Sequence, residues 1–161
     1  LLTLAKVEGA FSWDDGSVAF ANEIGRLAVR DAAPGGGVRI EANPGCDSVE
    51  LEVPRALAVT ALRNLLDNAL RHSPAADSVS LTVHCRPEGV DFCVEDAGPG
   101  LADEEYGLAT QRFWRRQTGR GSGLGLSIVA AIADRFGGAL AIARGPQGGL
   151  AATLSLPRRA V

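Results

Sequence analysis

Residues 78–86, SVSLTVHCR, and residues 90–96, VDFCVED, each alternate apolar and polar side chains along nearly their whole length. Alternation places every second residue on one face of a strand, so each segment reads as a half-buried β-strand. The intervening PEG at 87–89 is a turn, and the two strands pair as a hairpin. A hairpin with one apolar face needs a second layer to cover it.

The covering layer is legible on either side. Pro54 suits the first position of a helix running to about Arg71, before Pro74 stops it. Val18–Asp31 is a second helical candidate, ended by APGGG at 33–37, and Leu124–Phe136 is a third, stopped by Gly137 and Gly138. Short strands are expected at Val38–Ala42 and Ser48–Val53, a short helix at Ala102–Tyr106, and a closing hairpin from Ala139 to Pro157 that turns at GPQGG. Leu1–Glu8, with apolar residues at 1, 4 and 7 before Gly9, reads as the last turns of a helix that began upstream. Helices and strands mix without the regular alternation of a doubly wound sheet. The expected class is therefore α+β, a two-layer sandwich of a mixed β-sheet and helices.

Composition narrows the function. The 161 residues suit one domain; 46% are apolar and 22% charged, which excludes disorder. A net charge of −3 gives no general reason to expect nucleic acid or an anionic membrane as partner. No apolar run approaches the ~20 residues that span a bilayer. The chain has no methionine, so it is expected to be an excised domain whose beginning lies elsewhere. Cys46, Cys85 and Cys93 are odd in number and not closely paired, which favours reduced thiols in a cytosolic setting. His84 and Cys85 are neighbours on a strand and point to opposite faces, which argues against a metal site and for a buried, structural Cys85.

Three stretches carry potential chemistry. In the Pro54 helix, at about 100° per residue, Asn64, Asn68 and Arg71 fall within about 60° of one another, opposite Leu62, Leu65, Leu66 and Ala69. Amide oxygens can ligate a hard cation such as Mg²⁺, and a guanidinium can neutralise phosphate oxygens; an ordinary solvated face is the alternative. VEDAGPG at 94–100 ends a strand with Asp96, a carboxylate suited to accept from an exocyclic amine, and Gly98 and Gly100 leave the main chain open to a flat ligand. A surface Asp-Gly turn would look similar. GSGLGLSIVAAI at 121–132 places three glycines before a helix start, where unpaired amides and the helix dipole favour an anion. A flexible loop capped by Ser122 is the plainer reading.

Taken in order, these stretches resemble the nucleotide-binding domain of sensor histidine kinases, in the wider superfamily of type II topoisomerases, heat-shock chaperones and mismatch-repair ATPases. NLLDNALRHSP resembles the family's N box, DAGPG its G1 box, the RFWRR region its F box and GSGLGLSIV its G2 box. The resemblance spans essentially the whole chain and implies the Bergerat ATP-binding fold with a flexible ATP lid at about 103–122. It further implies that residues 1–8 end an upstream dimerisation and phosphoacceptor helix, and that 9–161 form the catalytic domain.

The implied ligands are ATP and Mg²⁺. By resemblance, Asn68 would hold the metal, with Asn64 supporting the phosphate side and Arg71 contacting the phosphates. His72 occupies a position where such kinases often place an aromatic against the nucleotide. Asp96 resembles the adenine-reading aspartate, with Gly98 and Gly100 beside the base. Gly121, Gly123, Leu124 and Gly125 would embrace the triphosphate. Arg115, or Arg116 in its place, would reach the γ-phosphate. Four arginines within 112–120 of an otherwise acidic chain fit a local triphosphate site better than a nucleic-acid patch. The F box departs from the pattern at Thr110, where a phenylalanine is usual, which bears on lid packing.

The superfamily's ATP hydrolases are similar in placing a water-activating glutamate four residues before the metal-binding asparagine. Here that position is Asn64, which favours transfer to a protein acceptor over hydrolysis. The implied reaction moves the γ-phosphoryl of ATP to a histidine on the upstream domain, for relay to a response regulator receiver. The parent is expected to be homodimeric and membrane-anchored, with this domain on the cytoplasmic side of the plasma membrane. Neither His72 nor His84 lies in an acceptor-like helix, so the fragment alone is expected not to phosphorylate itself. A non-catalytic nucleotide-binding module and an anti-sigma-factor-type serine kinase are the alternatives.

Overall fold

The expected hairpin forms the middle of the sheet. The computed structural model describes residues 18–73, 78–105 and 125–160. Strands β2 (Val79–Cys85) and β3 (Gly89–Glu95) pair antiparallel, with Leu81 opposite Val94 and Val83 opposite Phe92. Strand β1 (Val38–Ala42) lies parallel to β2, and the terminal hairpin of β4 (Ala139–Arg144) and β5 (Leu150–Pro157) completes the sheet through an antiparallel β3–β5 pair. The strand order is β1-β2-β3-β5-β4, a mixed sheet of five strands among the described residues.

Parallel neighbours require a crossover, and helix α2 (Arg55–His72) supplies the one between β1 and β2. It packs between α1 (Ala21–Ala32) and α3 (Gly125–Arg135). Val79, Leu81 and Val83 of β2, Val90, Phe92 and Val94 of β3, and Ala152, Leu154 and Leu156 of β5 are buried with the apolar faces of the helices. Thr82, His84, Asp91, Cys93, Glu95 and Thr153 alternate with them and remain at least partly exposed. The result is the expected two-layer α+β sandwich. Helix α1 comes close to β2 at Gly25, where a Cβ would sit 3.3 Å from Val83 Cγ2.

Two local expectations are corrected. Residues 48–53 do not join the sheet: Val49, Leu51 and Val53 are buried in alternation, but the segment makes only the isolated bridges Phe20–Glu50 and Leu51–Arg158. It runs past the sheet between the chain entering α1 and the end of β5, so its alternation reflects burial without a ladder. Pro54 caps α2 instead of occupying its first turn, with its carbonyl accepting from Leu57 and Ala58, and the helix extends one residue further than expected, through His72. The short helix expected near Ala102–Tyr106 is present among the described residues as a 3₁₀ helix at Asp103–Glu105.

The cysteines also depart from expectation. Cys46 and Cys85 are joined in a disulfide, with Cα atoms 5.9 Å apart, instead of remaining reduced thiols. Cys46 is fully buried, whereas Cys85, expected in the core, is partly exposed at its edge. The pair lies 39 residues apart in sequence, and only the packing of the Pro44–Cys46 turn against β2 brings it together.

Candidate functional site

Helix α2 has one wholly apolar side. Leu57, Ala58, Ala61, Leu62, Leu65, Leu66 and Ala69 are buried, while Asn64 and Asn68 are half-buried and Arg71 is exposed. The predicted division of faces is therefore real. Asn64 Nδ2 donates to the Thr60 carbonyl one turn back at 2.8 Å, which fixes the orientation of the amide. Asn68, one turn on, makes no side-chain hydrogen bond with a described residue.

The C-terminal end of α2 meets the loop after β3. A Cβ at Gly98 would lie 2.4 Å from the His72 carbonyl oxygen, so only glycine permits this crossing. The bare Cα read from sequence as room for a flat ligand accommodates α2 itself. Gly100, buried and at φ +67°, takes the left-handed conformation that glycine adopts without a Cβ penalty.

Asp96 is the focus of this junction. It is 4% exposed, and its Oδ1 accepts from the amides of Gly98 at 2.9 Å and Leu150 at 3.2 Å. Its own amide donates to the Leu150 carbonyl at 3.0 Å. No described residue bonds Oδ2, which leaves one oxygen of a fixed carboxylate to accept an incoming N–H.

The sequence reading missed the other side of this clamp. GPQGG at 145–149 was read only as a hairpin turn, yet a Cβ at Gly149 would lie 2.1 Å from the Asp96 carbonyl oxygen and 2.5 Å from Oδ1. The signal was a surplus glycine. Gly148, at φ +86° and with open space around it, already provides the left-handed residue of the turn.

The structure thus brings His72, Asp96 and Gly98 together with Gly149 and Leu150 at the C-terminal end of α2. Gly125 opens α3, which packs along α2, and no described residue lies within 4 Å of a Cβ placed on it. Arg115, Arg116, Gly121, Gly123 and Leu124, together with Thr110, fall outside the described residues, as does Leu1–Glu8. At the start of the expected lid, Asp103 accepts from Arg144 of β4 at 3.0 Å, and Glu105 accepts from the Ala102 amide at 2.8 Å. Among the described residues no three His, Cys, Asp or Glu side chains gather as a metal centre, and no helix is long and apolar enough to cross a membrane.

A helix-covered mixed sheet, with a buried aspartate beyond a central strand and an asparagine-bearing helix alongside, defines an α+β domain with a polar site at one end of its sheet. Residues 52–160 match the family described as histidine kinase-, DNA gyrase B- and HSP90-like ATPase, and the chain belongs to that family. It is 35% identical over 162 residues to a probable sensor histidine kinase HK of Mycobacterium tuberculosis, covering 98% of this chain and 41% of that protein. It is likewise 35% identical to the sensor protein QseC of Salmonella typhimurium, over 96% of this chain and 35% of that one. Among solved structures, the ATP binding domain of PrrB from Mycobacterium tuberculosis is similar at a TM-score of 0.66 and 26% identity, over 89% of this chain and 96% of that one. The chain therefore spans about two fifths or less of the length of these two curated relatives.

Proposed function

We propose that this chain is the catalytic domain of a sensor histidine kinase, which binds Mg²⁺-ATP and transfers the γ-phosphoryl group to a histidine on a separate dimerisation domain, releasing ADP. The observation that carries the reading is Asp96, buried, held through Oδ1 by two main-chain amides, with Oδ2 open. An acceptor-only oxygen fixed in this way selects a ring that turns an amine towards it, as adenine does with its 6-amino group.

The phosphate side follows from α2. The Asn68 amide oxygen is a hard donor that fits Mg²⁺ when phosphate oxygens complete the coordination, and Mg²⁺ there would neutralise charge on the departing phosphates. Arg71 and, from the segment outside the described residues, Arg115 or Arg116 would offset the remaining charge. Gly121, Gly123, Leu124 and Gly125 would present amides to the triphosphate at the start of α3. Asn64, with its nitrogen tied to Thr60, offers no general base for water. Transfer to a protein acceptor is favoured over hydrolysis on that ground.

In this reading residues 1–8 continue an upstream helix and 9–161 form the catalytic module with its lid at 103–122. The parent is a homodimeric, membrane-anchored sensor with this domain in the cytoplasm, passing phosphate to a response regulator. The curated relatives, whose names are those of sensor kinases and which are more than twice as long as the matched region, support this placement. The test is to incubate the chain with labelled ATP, alone and with a dimerisation domain supplied separately. Acid-labile phosphate is expected on the added domain and none on this chain; label on this chain alone would contradict the assignment.

A further inference from the structure

The Cys46–Cys85 bond joins the turn before α2 to the end of β2, closing a loop of chain that contains the whole of α2. Cys85 shares the helix-covered face of β2 with Leu81 and Val83, whereas Cys93 pairs in register with Thr82 and Thr153 on the opposite face. Cys93 is the free cysteine, and burial pushes its thiol above the ordinary range. Val90, not Cys93, stands opposite Cys85. Three residues of strand and the thickness of the sheet separate the free thiol from the bond, so only one pairing is available.

The turn is held independently of sulfur. Asn22 Nδ2 donates to the Asn43 carbonyl at 2.9 Å and to Asp47 Oδ1 at 2.7 Å, on either side of Cys46. Breaking the bond therefore leaves the two thiols facing each other.

We propose that Cys46 and Cys85 are a reversible redox site that takes up and releases oxidising equivalents by exchange with a small disulfide such as glutathione disulfide. The proposal rests on the cytoplasmic placement above, because reducing thiol pools make a bond between two well-placed cysteines there a conditional one. Oxidation begins at Cys85, the less buried of the two residues. Its thiolate attacks one sulfur of glutathione disulfide and expels glutathione thiolate, leaving a mixed disulfide. Cys46 then loses its proton, attacks the Cys85 sulfur and expels the second glutathione. Two protein thiols are oxidised and one glutathione disulfide is reduced to two thiols.

The site acts on stability and spares the nucleotide pocket. Cys85 lies opposite Val90, whereas Ser80, at the other end of β2, lies opposite Glu95 beside Asp96. Five residues of strand, about 16 Å, separate the two ends. Closing the loop constrains the unfolded chain and raises the melting temperature.

The chain is equilibrated in stepped ratios of glutathione to glutathione disulfide, quenched with acid, unfolded and alkylated with iodoacetamide, and the products are weighed and mapped. Cys46 and Cys85 are expected to lose alkylation together in one transition while Cys93 stays alkylated throughout. The reduced form is expected to melt about 5–10 °C lower. ATP affinity is expected to agree within about twofold between forms. A bond that stays closed across the series, a stable glutathione adduct without closure, a bond to Cys93, or equal melting temperatures would each overturn the proposal. Thiol counting needs no nucleotide, so failure of the kinase assignment leaves this outcome readable. In a Cys46→Ser variant the adduct should accumulate on Cys85; the wild-type titration stands if that variant does not fold.

Discussion

Asp96 and Leu150 exchange two hydrogen bonds across 54 residues of sequence: Leu150 N donates to Asp96 Oδ1 at 3.2 Å, and Asp96 N donates to the Leu150 carbonyl at 3.0 Å. The first continues the β3–β5 pairing onto a side chain, so the carboxylate is aligned by the sheet itself. A rigid sheet sets the acceptor more precisely than a loop could.

Gly149→Ala tests that alignment. The new Cβ would sit 2.1 Å from the Asp96 carbonyl oxygen, and backbone must move to admit it. Nucleotide affinity is expected to fall at least about tenfold, with a stability loss of about 1–3 kcal/mol by chemical denaturation. Gly148→Asn, in open space and in a conformation asparagine accepts, is expected to bind nucleotide as the wild type does.

Gly98→Ala forces α2 away from the loop after β3, because its Cβ would meet the His72 carbonyl at 2.4 Å. Both the base side and the phosphate side of the pocket should suffer, so the loss of affinity is expected to extend to ADP and AMP. Calorimetric titration of the three nucleotides checks this.

Phe92 is fully buried at the centre of the sheet, between Val83 on β2 and Leu154 on β5. Phe92→Ala should cost about 3–5 kcal/mol through lost burial and the cavity left behind. Urea denaturation measures it directly.

Asp91 sets part of the acid response. Burial pushes its carboxyl up, but hydrogen bonds from Arg86 and Ser155, with the Arg86 charge, outweigh this and hold it below the usual carboxylate range. A depressed folded-state value means stabilisation fully present above the unfolded value, about 3.9, and lost as pH falls through the folded one. Asp91→Asn is expected to cost on the order of 1 kcal/mol at pH 7 and progressively less below pH 4. Denaturation of both proteins across pH 2–7 reads the difference.

What could be read from the chain followed from period. The alternation of 78–96 and the two-sided helix ending in RHS placed β2, β3 and α2 within a residue or two of their observed bounds. Alternation alone could not distinguish 48–53 from a strand, because burial on one side produces the same pattern as a ladder. The partner of Gly149, beyond the bare surplus of glycine, and the Cys46–Cys85 bond were hidden for a different reason. Each depends on a contact between segments dozens of residues apart, and no local spacing encodes that.

The central claim is that distant segments meet around Asp96 to read adenine. Calorimetric titration of Mg²⁺-ATP into wild type and Asp96→Asn, with Mg²⁺-GTP as comparison, tests it most directly. Wild type should prefer ATP, whose ring offers an amine where guanine has a carbonyl, and the variant should lose at least about tenfold in ATP affinity while its circular dichroism is unchanged. Equal ATP affinity in the two proteins would contradict the account.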